Sequence, residues 1–284
     1  MGIKVLDCTL RDGAYVLDSM FGEECISGII SSLSSCGIDI IECGWLKDFE
    51  KKEGSVFYNQ PQDLVYQGKN LALMFDYGRY DVDKLKPKSN VDIIRIAFYK
   101  EDLDRISFVA EEVKNKGYKV FLQASNTIAY SQKEVETLCK RANFLGVDSV
   151  YIVDSFGSMF PDDLDKIIGI YDEIVDKNIE IGFHSHNNMQ LSLALSMRFI
   201  EKLSARNIII DSSLCGIGRG AGNTQTELLV EYLNKNGLNY QTEFVWDCIK
   251  KYITPLYKGY HWGYTPQMGL KGIKGLHPNT QSEW

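Results

Sequence analysis

Short runs of β-branched and aromatic residues recur along the chain, and most are followed by a longer stretch with helical periodicity. The short runs are typical of buried strands, and the intervening segments repeat apolar residues every three or four positions, as amphipathic helices do. The predicted strands are Ile3–Leu6, Ile38–Glu42, Leu71–Phe75, Val91–Ala97, Lys119–Leu122, Ser149–Val153, Glu180–Phe183 and Ile208–Ile210. The predicted helices are Gly22–Cys36, Pro61–Gly68, Leu103–Lys116, Gln132–Leu145, Pro161–Val175, Met189–Leu203 and Gln225–Asn234. Residues 77–89 show the weakest helical pattern.

Strands that alternate with helices predict parallel βαβ units, which either close into a barrel or form an open, doubly wound sheet. No Gly-x-Gly-x-x-Gly motif follows the first strand, and eight unbroken repeats favour closure. We therefore predict an α/β fold, a (β/α)8 TIM barrel, over residues 1–240. Residues 241–284 do not continue this alternation of strands and helices, and they include the aromatic, glycine-rich run Tyr257–Tyr264. We interpret them as a C-terminal helix and a short aromatic cap or lid of the same domain.

The composition excludes several classes of protein. A formal net charge of −7 argues against a nucleic-acid binder, which needs a basic surface. No apolar run approaches the ~20 residues of a membrane span, and the start enters a strand without room for a signal peptide. The seven cysteines form no Cys-x-x-Cys pair, so reduced thiols in a cytoplasmic protein are expected.

Every predicted strand runs into polar or charged residues at its carboxyl end. The active sites of TIM barrels are built at that end from the loops that follow the strands. The polar residues there are Asp7, Arg11 and Asp12, Glu42, Asp76, Arg95, Gln123, Asp154 and Ser155, His184 and His186, Asp211 and Ser212. We expect a substrate site at this rim, with Glu42 and Arg95 among the residues that contact substrate.

The pair His184-x-His186 at the end of the seventh predicted strand indicates a metal site. Residues two apart on a strand point to the same side, so both imidazoles can face one ion. Two imidazoles with carboxylate or amide oxygens suit a divalent cation that keeps open positions for substrate. Asp12 is the expected carboxylate, and Asn223 can supply an amide oxygen. Two surface histidines leaving a strand are the alternative.

Arg11 and the glycine-rich loop 215–227 carry the remaining chemical signals. A guanidinium beside a metal can hold the charge of an enolate, the intermediate of carbon–carbon bond chemistry next to a carbonyl. A salt bridge at the rim is the other interpretation of Arg11. Glycine-rich loops before a helix bind anions through backbone N–H groups, and Arg219 adds a charge for a carboxylate. A flexible turn explains the same pattern.

Three motifs together resemble the DRE-TIM metallolyases over about residues 3–235. They are Thr9–Gly13, the His184-x-His186 pair and Gly220–Asn223. The segments Val153–Gly157 and Ser213–Gly218 are most similar to the 4-hydroxy-2-oxovalerate aldolase branch of that superfamily. The resemblance implies a divalent ion, commonly Mn²⁺, with Mg²⁺, Co²⁺ or Zn²⁺ as alternatives.

Residue roles follow from the same resemblance. The implied metal ligands are Asp12, His184 and His186, with Asn223 as a further one. Arg11 would hold the enolate oxygen of pyruvate, and Ser155 would contact the pyruvate carboxylate. Tyr264 resembles a segment that supplies a catalytic tyrosine in the aldolases, and His261 is a rival for that role.

The chain also departs from the aldolases. Tyr15 stands where they carry a histidine assigned to acid–base work, and a phenol is a poor base at neutral pH unless its pKa is depressed. The chain ends soon after the barrel, whereas the aldolases carry an extension that docks an aldehyde dehydrogenase. We therefore expect no such partner and an aldehyde that is larger or sugar-derived.

The sequence thus predicts a metal-dependent aldolase that cleaves a 4-hydroxy-2-oxo acid to pyruvate and an aldehyde. One alternative is a Claisen-type synthase that joins an acyl-CoA to a 2-oxo acid. A second alternative is a hydrolase of the amidohydrolase type, but such enzymes normally place their His-x-His pair on the first strand. A non-catalytic metabolite-binding barrel is the third alternative. Barrels of this family often pair, which favours a homodimer.

Overall fold

The computed structural model describes residues 2–48 and 52–281 of the chain. Its strands are β1 (Ile3–Asp7), β2 (Ile40–Leu46), β3 (Phe57–Tyr58), β4 (Leu71–Asp76), β5 (Ile93–Phe98), β6 (Lys119–Ala124), β7 (Ser149–Asp154), β8 (Glu180–Ser185) and β9 (Ile208–Ser212). All pairings between these strands are parallel, and β1 pairs with both β2 and β9. The sheet therefore closes into an eight-stranded barrel, with β3 as a two-residue addition beside β2. The predicted (β/α)8 TIM barrel is confirmed.

Helices surround the barrel. They are α1 (Thr9–Gly13), α2 (Glu23–Cys36), α3 (Ile106–Asn115), α4 (Gln132–Leu145), α5 (Pro161–Ile174), α6 (Ser192–Lys202), α7 (Thr226–Lys235), α8 (Thr242–Cys248), α9 (Thr254–Gly259) and α10 (Pro266–Ile273). A π-helical turn, Ile249–Ile253, joins α8 to α9, and single 3₁₀ turns lie at Pro61–Asp63, Val82–Lys84, Lys100–Asp102, Thr127–Ala129 and Leu214–Gly216. In the part of the chain that the structure describes, no helix has the length and apolar character that a membrane crossing needs.

All eight barrel strands lie where the sequence predicts them, but each ends one to four residues later than expected. The additional residues include the polar Asp7, Asp154, His184 and Asp211, which sequence patterns assign to loops. They remain in the strands because their side chains are buried and paired: His184 and Asp211, for example, are at most 4% exposed and lie 2.9 Å apart.

The predicted helix Pro61–Gly68 is wrong. Only one 3₁₀ turn forms, and Leu64 leaves it with φ −78° and ψ 103°. The Asn90 side chain donates hydrogen bonds to the carbonyls of Leu64 and Tyr66, which replaces the partners that a helix would provide. A run this short does not recover the cost of helix nucleation. Residues 77–89 likewise contain only a 3₁₀ turn, so two crossovers of the barrel lack an α-helix.

The barrel interior has two layers. Its lower part is filled by a small apolar cluster that includes Ile40, Ile93 and Ile209. Two positions further along the same strands lie Glu42, Arg95 and Asp211, which face the same side because side chains alternate along a strand. The apolar layer thus supports a layer of buried charges at the carboxyl ends of the strands.

The tail residues 241–281 begin beside the barrel and then cross to its carboxyl end. Helix α8 packs against α2 and α7. Further along, the Trp262 indole N–H donates to the carbonyl of Cys215 at 3.0 Å. Helix α10 lies so close to the barrel loops that a Cβ at Gly272 would be 2.8 Å from Met189 Cγ and 3.0 Å from the Gly157 carbonyl oxygen. These contacts bring residues 277–279 to the mouth of the barrel.

Candidate active site

Arg11 and Asp12 enter the barrel mouth on the short helix α1, which sequence patterns describe as a loop. The helix starts directly after β1, where Asp7 accepts a hydrogen bond from the backbone N–H of Thr9 at 2.9 Å. The Trp45 indole then donates to the carbonyl of Arg11 at 2.8 Å. Both Arg11 and Asp12 are buried, at 5% and 0% exposure. The helix therefore presents a guanidinium and a carboxylate side by side, with Arg11 Nη1 2.7 Å from Asp12 Oδ1.

His184 and His186 lie at the end of β8 with their Nε2 atoms 3.4 Å apart. His184 Nδ1 lies 2.9 Å from Asp211 Oδ2, and His186 Nδ1 lies 3.2 Å from the Gly222 carbonyl oxygen. Because both Nδ1 atoms face acceptors, we assign the ring protons to Nδ1. Two Nε2 lone pairs then face each other in a buried space. Metal-ligating histidines are typically oriented in this way, by a hydrogen bond from the ring nitrogen that does not bind the metal.

Asp12 completes a buried cluster with the two histidines, in which one ligand atom from each residue lies within 4.8 Å of the others. Burial alone would raise the pKa of Asp12, but the Arg11 guanidinium at 2.7 Å outweighs it and holds that pKa well below its usual range. Burial lowers the pKa of His186 to about 3, although Asp12 opposes the shift, so its imidazole is neutral. A carboxylate and neutral imidazoles are the protonation states that a divalent cation needs.

Asn223 lies beside this cluster, with Nδ2 2.5 Å from Asp12 Oδ2. Its Oδ1 is buried and has no hydrogen-bond partner among the described residues. An unpaired buried oxygen next to a carboxylate and two imidazoles fits a cation site. Gly218 lies directly over the cluster, and a Cβ there would be 2.4 Å from Asp12 Oδ2. The glycine-rich loop therefore lets the backbone cover the candidate metal centre.

A chain of buried ion pairs connects the two sides of this centre. Glu42 Oε2 accepts from Arg11 Nε at 2.7 Å and from Arg95 Nη1 at 2.6 Å. Arg95 Nη2 pairs with Asp211, which in turn contacts His184. The network fixes Arg11 at one end and the His184 ring at the other.

This network corrects the expectation that Glu42 and Arg95 contact substrate. Both side chains are fully buried and lie outside the lining of the pocket. Because both side chains are long and the barrel is closed, they meet beneath the pocket, where the charge of each neutralises that of the other. They position Arg11 and His184 instead. Asp211 has the same function, and its place at the end of β9 was the only sequence signal for it.

A polar pocket of about 440 Å³ opens above the candidate metal centre at the carboxyl end of the barrel. Its lining includes six residues that the sequence singles out as site residues: Arg11, Tyr15, Ser155, His184, His186 and Arg219. Further lining residues are Trp45, Asp76, Arg79, Gln123, Ser125, His277 and Asn279. His277 was not predicted as a site residue, because it lies in the tail and only the folded chain brings it to the pocket.

The predicted acid–base residues differ in their placement. Tyr15 lies at the pocket, with its ring 5.6 Å from that of Trp45 and 5.2 Å from Arg219 Cζ. Desolvation by the surrounding protein raises the pKa of Tyr15, although the residue is 42% exposed and Arg219 opposes the shift, so the phenol stays protonated at neutral pH. Tyr264, the predicted catalytic tyrosine, is 54% exposed and lies outside the pocket lining, so the structure does not bring it to the other predicted site residues. His261 lines a neighbouring cavity.

Ser155 follows β7 and is 3% exposed. Its hydroxyl accepts a hydrogen bond from the backbone N–H of Asn126 at 2.8 Å. That contact leaves the hydroxyl proton available to an acceptor in the pocket, as expected for a residue that contacts a carboxylate.

A family model described as HMGL-like matches residues 95–247, which is more than half of the chain. The chain belongs to the HMGL-like family. This confirms the resemblance to the metallolyases, and the matched range includes the histidine pair and the glycine-rich loop. Arg11 and Asp12 precede it.

Relatives of this HMGL-like chain extend the match toward its start. A 4-hydroxy-2-oxovalerate aldolase from Pelotomaculum thermopropionicum is 29% identical over 251 residues, which cover 83% of this chain and 71% of the relative. An oxaloacetate decarboxylase from Mycobacterium tuberculosis is 27% identical over 242 residues, covering 82% and 70%. The N-terminal domain of a candidate aldolase from Bacteroides vulgatus superposes with a TM-score of 0.83 at 28% identity, covering 97% of this chain and 94% of that domain. The chain is an enzyme of the carbon–carbon lyase class.

Proposed function

We propose that the enzyme is a divalent-metal-dependent aldolase that cleaves a 4-hydroxy-2-oxo acid to pyruvate and an aldehyde, and that runs the addition in reverse. The observation that carries the proposal is the buried juxtaposition of Arg11 with the cluster Asp12, His184 and His186. A cation site beside a guanidinium is suited to the charge that develops on an enolate oxygen. The aldolase relatives support the same chemistry.

Asp12, His184 and His186 would hold the metal, with Asn223 Oδ1 as a further ligand atom. When bound there, a divalent ion, for which we propose Mn²⁺, supplies a Lewis acid beside the 2-oxo group of the substrate. The remaining steps are assigned to protein side chains.

Cleavage breaks the C3–C4 bond, and its electron pair moves to C2 and the 2-oxo oxygen to give an enolate. Arg11 can stabilise that oxygen, since Nε and Nη1 are fixed by Glu42 and Asp12 and no hydrogen bond among the described residues uses Nη2. Ser155 can donate its hydroxyl proton to the pyruvate carboxylate. Protonation of the enolate at C3 then gives pyruvate, while the 4-hydroxyl loses its proton and becomes the aldehyde.

Tyr15 is the proposed partner of the 4-oxygen. In the synthetic direction its protonated phenol can donate to the alkoxide formed from the aldehyde. Arg219 over the ring stabilises the phenolate that remains. In cleavage the phenol must first lose its proton, so the phenolate that accepts the 4-hydroxyl proton becomes more populated as pH rises. Both directions thus use one residue, as microscopic reversibility requires.

Decarboxylation of oxaloacetate is the second candidate, favoured by the Mycobacterium tuberculosis relative. It produces the same pyruvate enolate, with carbon dioxide as the leaving group, and it needs no acceptor for a hydroxyl proton. Tyr15 is therefore required for aldol cleavage but not for decarboxylation.

Pyruvate release distinguishes the two activities. Racemic 4-hydroxy-2-oxo acids and oxaloacetate would each be supplied with Mn²⁺, and pyruvate would be scored with lactate dehydrogenase and NADH. We expect the hydroxy acids to be the better substrates and the Tyr15→Phe variant to lose their cleavage. Turnover of oxaloacetate alone, unaffected by Tyr15→Phe, would assign the enzyme as a decarboxylase. Arg141→Gln is a control, because Arg141 pairs with Asp104 at the outer surface.

A further inference from the structure

Arg219 reaches the pocket mouth without an anionic partner. Its Nη2 lies 3.4 Å from the Ser155 carbonyl oxygen, its Nη1 lies 3.4 Å from His277 Nε2, and its buried Nε has no partner among the described residues. Within residues 2–48 and 52–281 no carboxylate lies within 4.0 Å of its guanidinium. A partly buried arginine that makes only long contacts is well placed to bind an anion.

His277 adds a second donor that points at the first. The backbone N–H of Asn279 donates to His277 Nδ1 at 3.0 Å, which places the proton of the neutral ring on Nε2. Nε2 then faces Arg219 Nη1 with no acceptor between the two nitrogens. Two N–H groups in this arrangement leave a position that an oxygen anion can fill.

The charges around His277 favour the same ligand. Burial lowers the pKa of His277, and the nearby cations Arg219, Lys271 and Arg79 lower it further. Of these, Arg79 has a counter-charge in Asp76 at 3.2 Å. The mouth therefore has an excess of positive charge beside a ring that is neutral at pH 7.

The loop that carries His277 is held in place. Lys271 is 4% exposed and donates to the Pro278 carbonyl, and the Phe156 ring contacts the His277 ring edge-on at a centroid distance of 5.5 Å. Arg219 comes from the glycine-rich loop more than 50 residues earlier in the chain. The fold thus joins two distant segments into one rigid pair of donors.

The metal centre and this pair of donors belong to the same pocket. Arg11 and the histidines line its buried end, whereas Arg219 and His277 line the partly exposed end. The buried Gln123 also lines it with an unpartnered Nε2. A pocket of about 440 Å³ is large for pyruvate and a two-carbon aldehyde, since clefts of this size typically hold larger ligands.

We propose that Arg219 and His277 form a second anion subsite, so that the aldehyde partner carries a carboxylate or a phosphate group. This inference rests on the proposed aldolase function and adds the substrate class. The 4-hydroxy-2-oxo acid would then have a negative charge at each end. The metal centre and Ser155 would hold the 2-oxo acid end, and the second subsite would hold the far end.

Matched aldehydes test the subsite. Aldol addition of pyruvate would be followed by NMR with succinic semialdehyde against butanal, and with glyceraldehyde 3-phosphate against glyceraldehyde. We expect at least one anionic aldehyde to exceed its neutral partner in kcat/KM by about tenfold or more, because a charge-assisted hydrogen bond discriminates on this scale. A larger ratio for succinic semialdehyde over butanal would indicate a carboxylate ligand. A larger ratio for glyceraldehyde 3-phosphate over glyceraldehyde would indicate a phosphate.

Variants connect the preference to the two residues. Arg219→Met and His277→Phe should each bring the anionic-to-neutral ratio toward one, whereas Arg219→Lys and His277→Gln, which keep a donor, should retain part of it. Arg141→Met removes one positive charge from the outer surface and should keep the wild-type ratio. If one variant does not fold, the other still tests the subsite.

Several results would overturn the inference. Ratios near one in the wild type, or ratios unchanged in both Arg219→Met and His277→Phe, would exclude the subsite. An Arg219→Met enzyme with a raised KM for pyruvate and an unchanged ratio would assign Arg219 to the pyruvate carboxylate instead. Deuterium exchange into pyruvate, which needs no aldehyde, separates the two proposals: wild-type exchange without aldehyde preference refutes only the subsite, and no exchange refutes the aldolase function.

Discussion

Replacement of Glu42 by Gln is the sharpest test of the buried network beneath the pocket. The glutamine keeps the shape of the side chain and one carbonyl oxygen, but it removes the charge that Arg11 and Arg95 share at 2.7 and 2.6 Å. Breaking a buried ion pair typically costs about 3–5 kcal/mol. Each arginine keeps a second partner, Asp12 or Asp211, so we expect a loss near the lower end, about 3 kcal/mol.

The assay is urea unfolding at 25 °C, with the free energy in water taken from linear extrapolation. The matched control is Glu180→Gln, which removes a carboxylate from the pair with Lys4 at the amino ends of β1 and β8. That lysine is 44% exposed, and such pairs contribute roughly 0–1 kcal/mol. A Glu42→Gln variant no less stable than Glu180→Gln would refute the claim that the buried network contributes to stability.

The same substitution has a catalytic consequence. Arg11 loses the negative charge of the partner that fixes its Nε, so its guanidinium is less well held against the developing enolate charge. We expect kcat to fall more than KM rises, by about tenfold or more, because the interaction acts mainly in the transition state. An equal effect of Glu180→Gln would contradict this positioning function.

Three further predictions concern the metal site, the pH dependence of stability and the glycine-rich loop. Mn²⁺ should raise the melting temperature of the wild type and of His261→Ala but not of His184→Ala, because a ligand stabilises only the fold that binds it; an equal rise in all three would contradict the assigned ligands. Burial raises the pKa of Asp7 from 3.8 to about 6, so the folded protein keeps a proton that the unfolded chain has lost, and stability falls as pH rises between these values. Asp7→Asn should therefore gain about 2 kcal/mol relative to the wild type between pH 4 and pH 7 in urea unfolding, and parallel pH profiles would refute this. Gly218→Ala places a methyl group against Asp12 and should lower turnover by about a hundredfold, whereas Gly169→Ala, whose Cβ meets open space, should not; similar activities would contradict the close approach.

The strands and the cluster of Asp12, His184 and His186 were predictable because both depend on local patterns. Strand pairing in a barrel follows the chain order, and the period of two along β8 sets His184 and His186 on one face whatever the rest of the fold does. Strand β9 pairs with both β1 and β8, so the ends of β1 and β8 lie at the same rim, which brings Asp12 to the histidines.

The sequence predictions that were wrong or missing concern features that only the closed barrel determines. Glu42 and Arg95 look like rim residues in sequence, but the register of the strands places them in a layer below the pocket. The missing helix after β2 depends on Asn90, a residue more than 20 positions away that occupies the carbonyls of Leu64 and Tyr66. His277 reaches the pocket through tail contacts that have no periodic signal in the sequence.

Proton NMR of pyruvate in D₂O tests the central claim most directly. The protein would be incubated with pyruvate and Mn²⁺, the ion would be removed before each spectrum, and the methyl signal would be followed with Arg11→Gln and Arg141→Gln as variant and control. An enolate-forming site predicts loss of the methyl proton signal in the wild type and Arg141→Gln, dependence on the metal, and little exchange in Arg11→Gln. No exchange with the metal present, or equal exchange in Arg11→Gln, would contradict a pyruvate enolate held between the metal centre and Arg11.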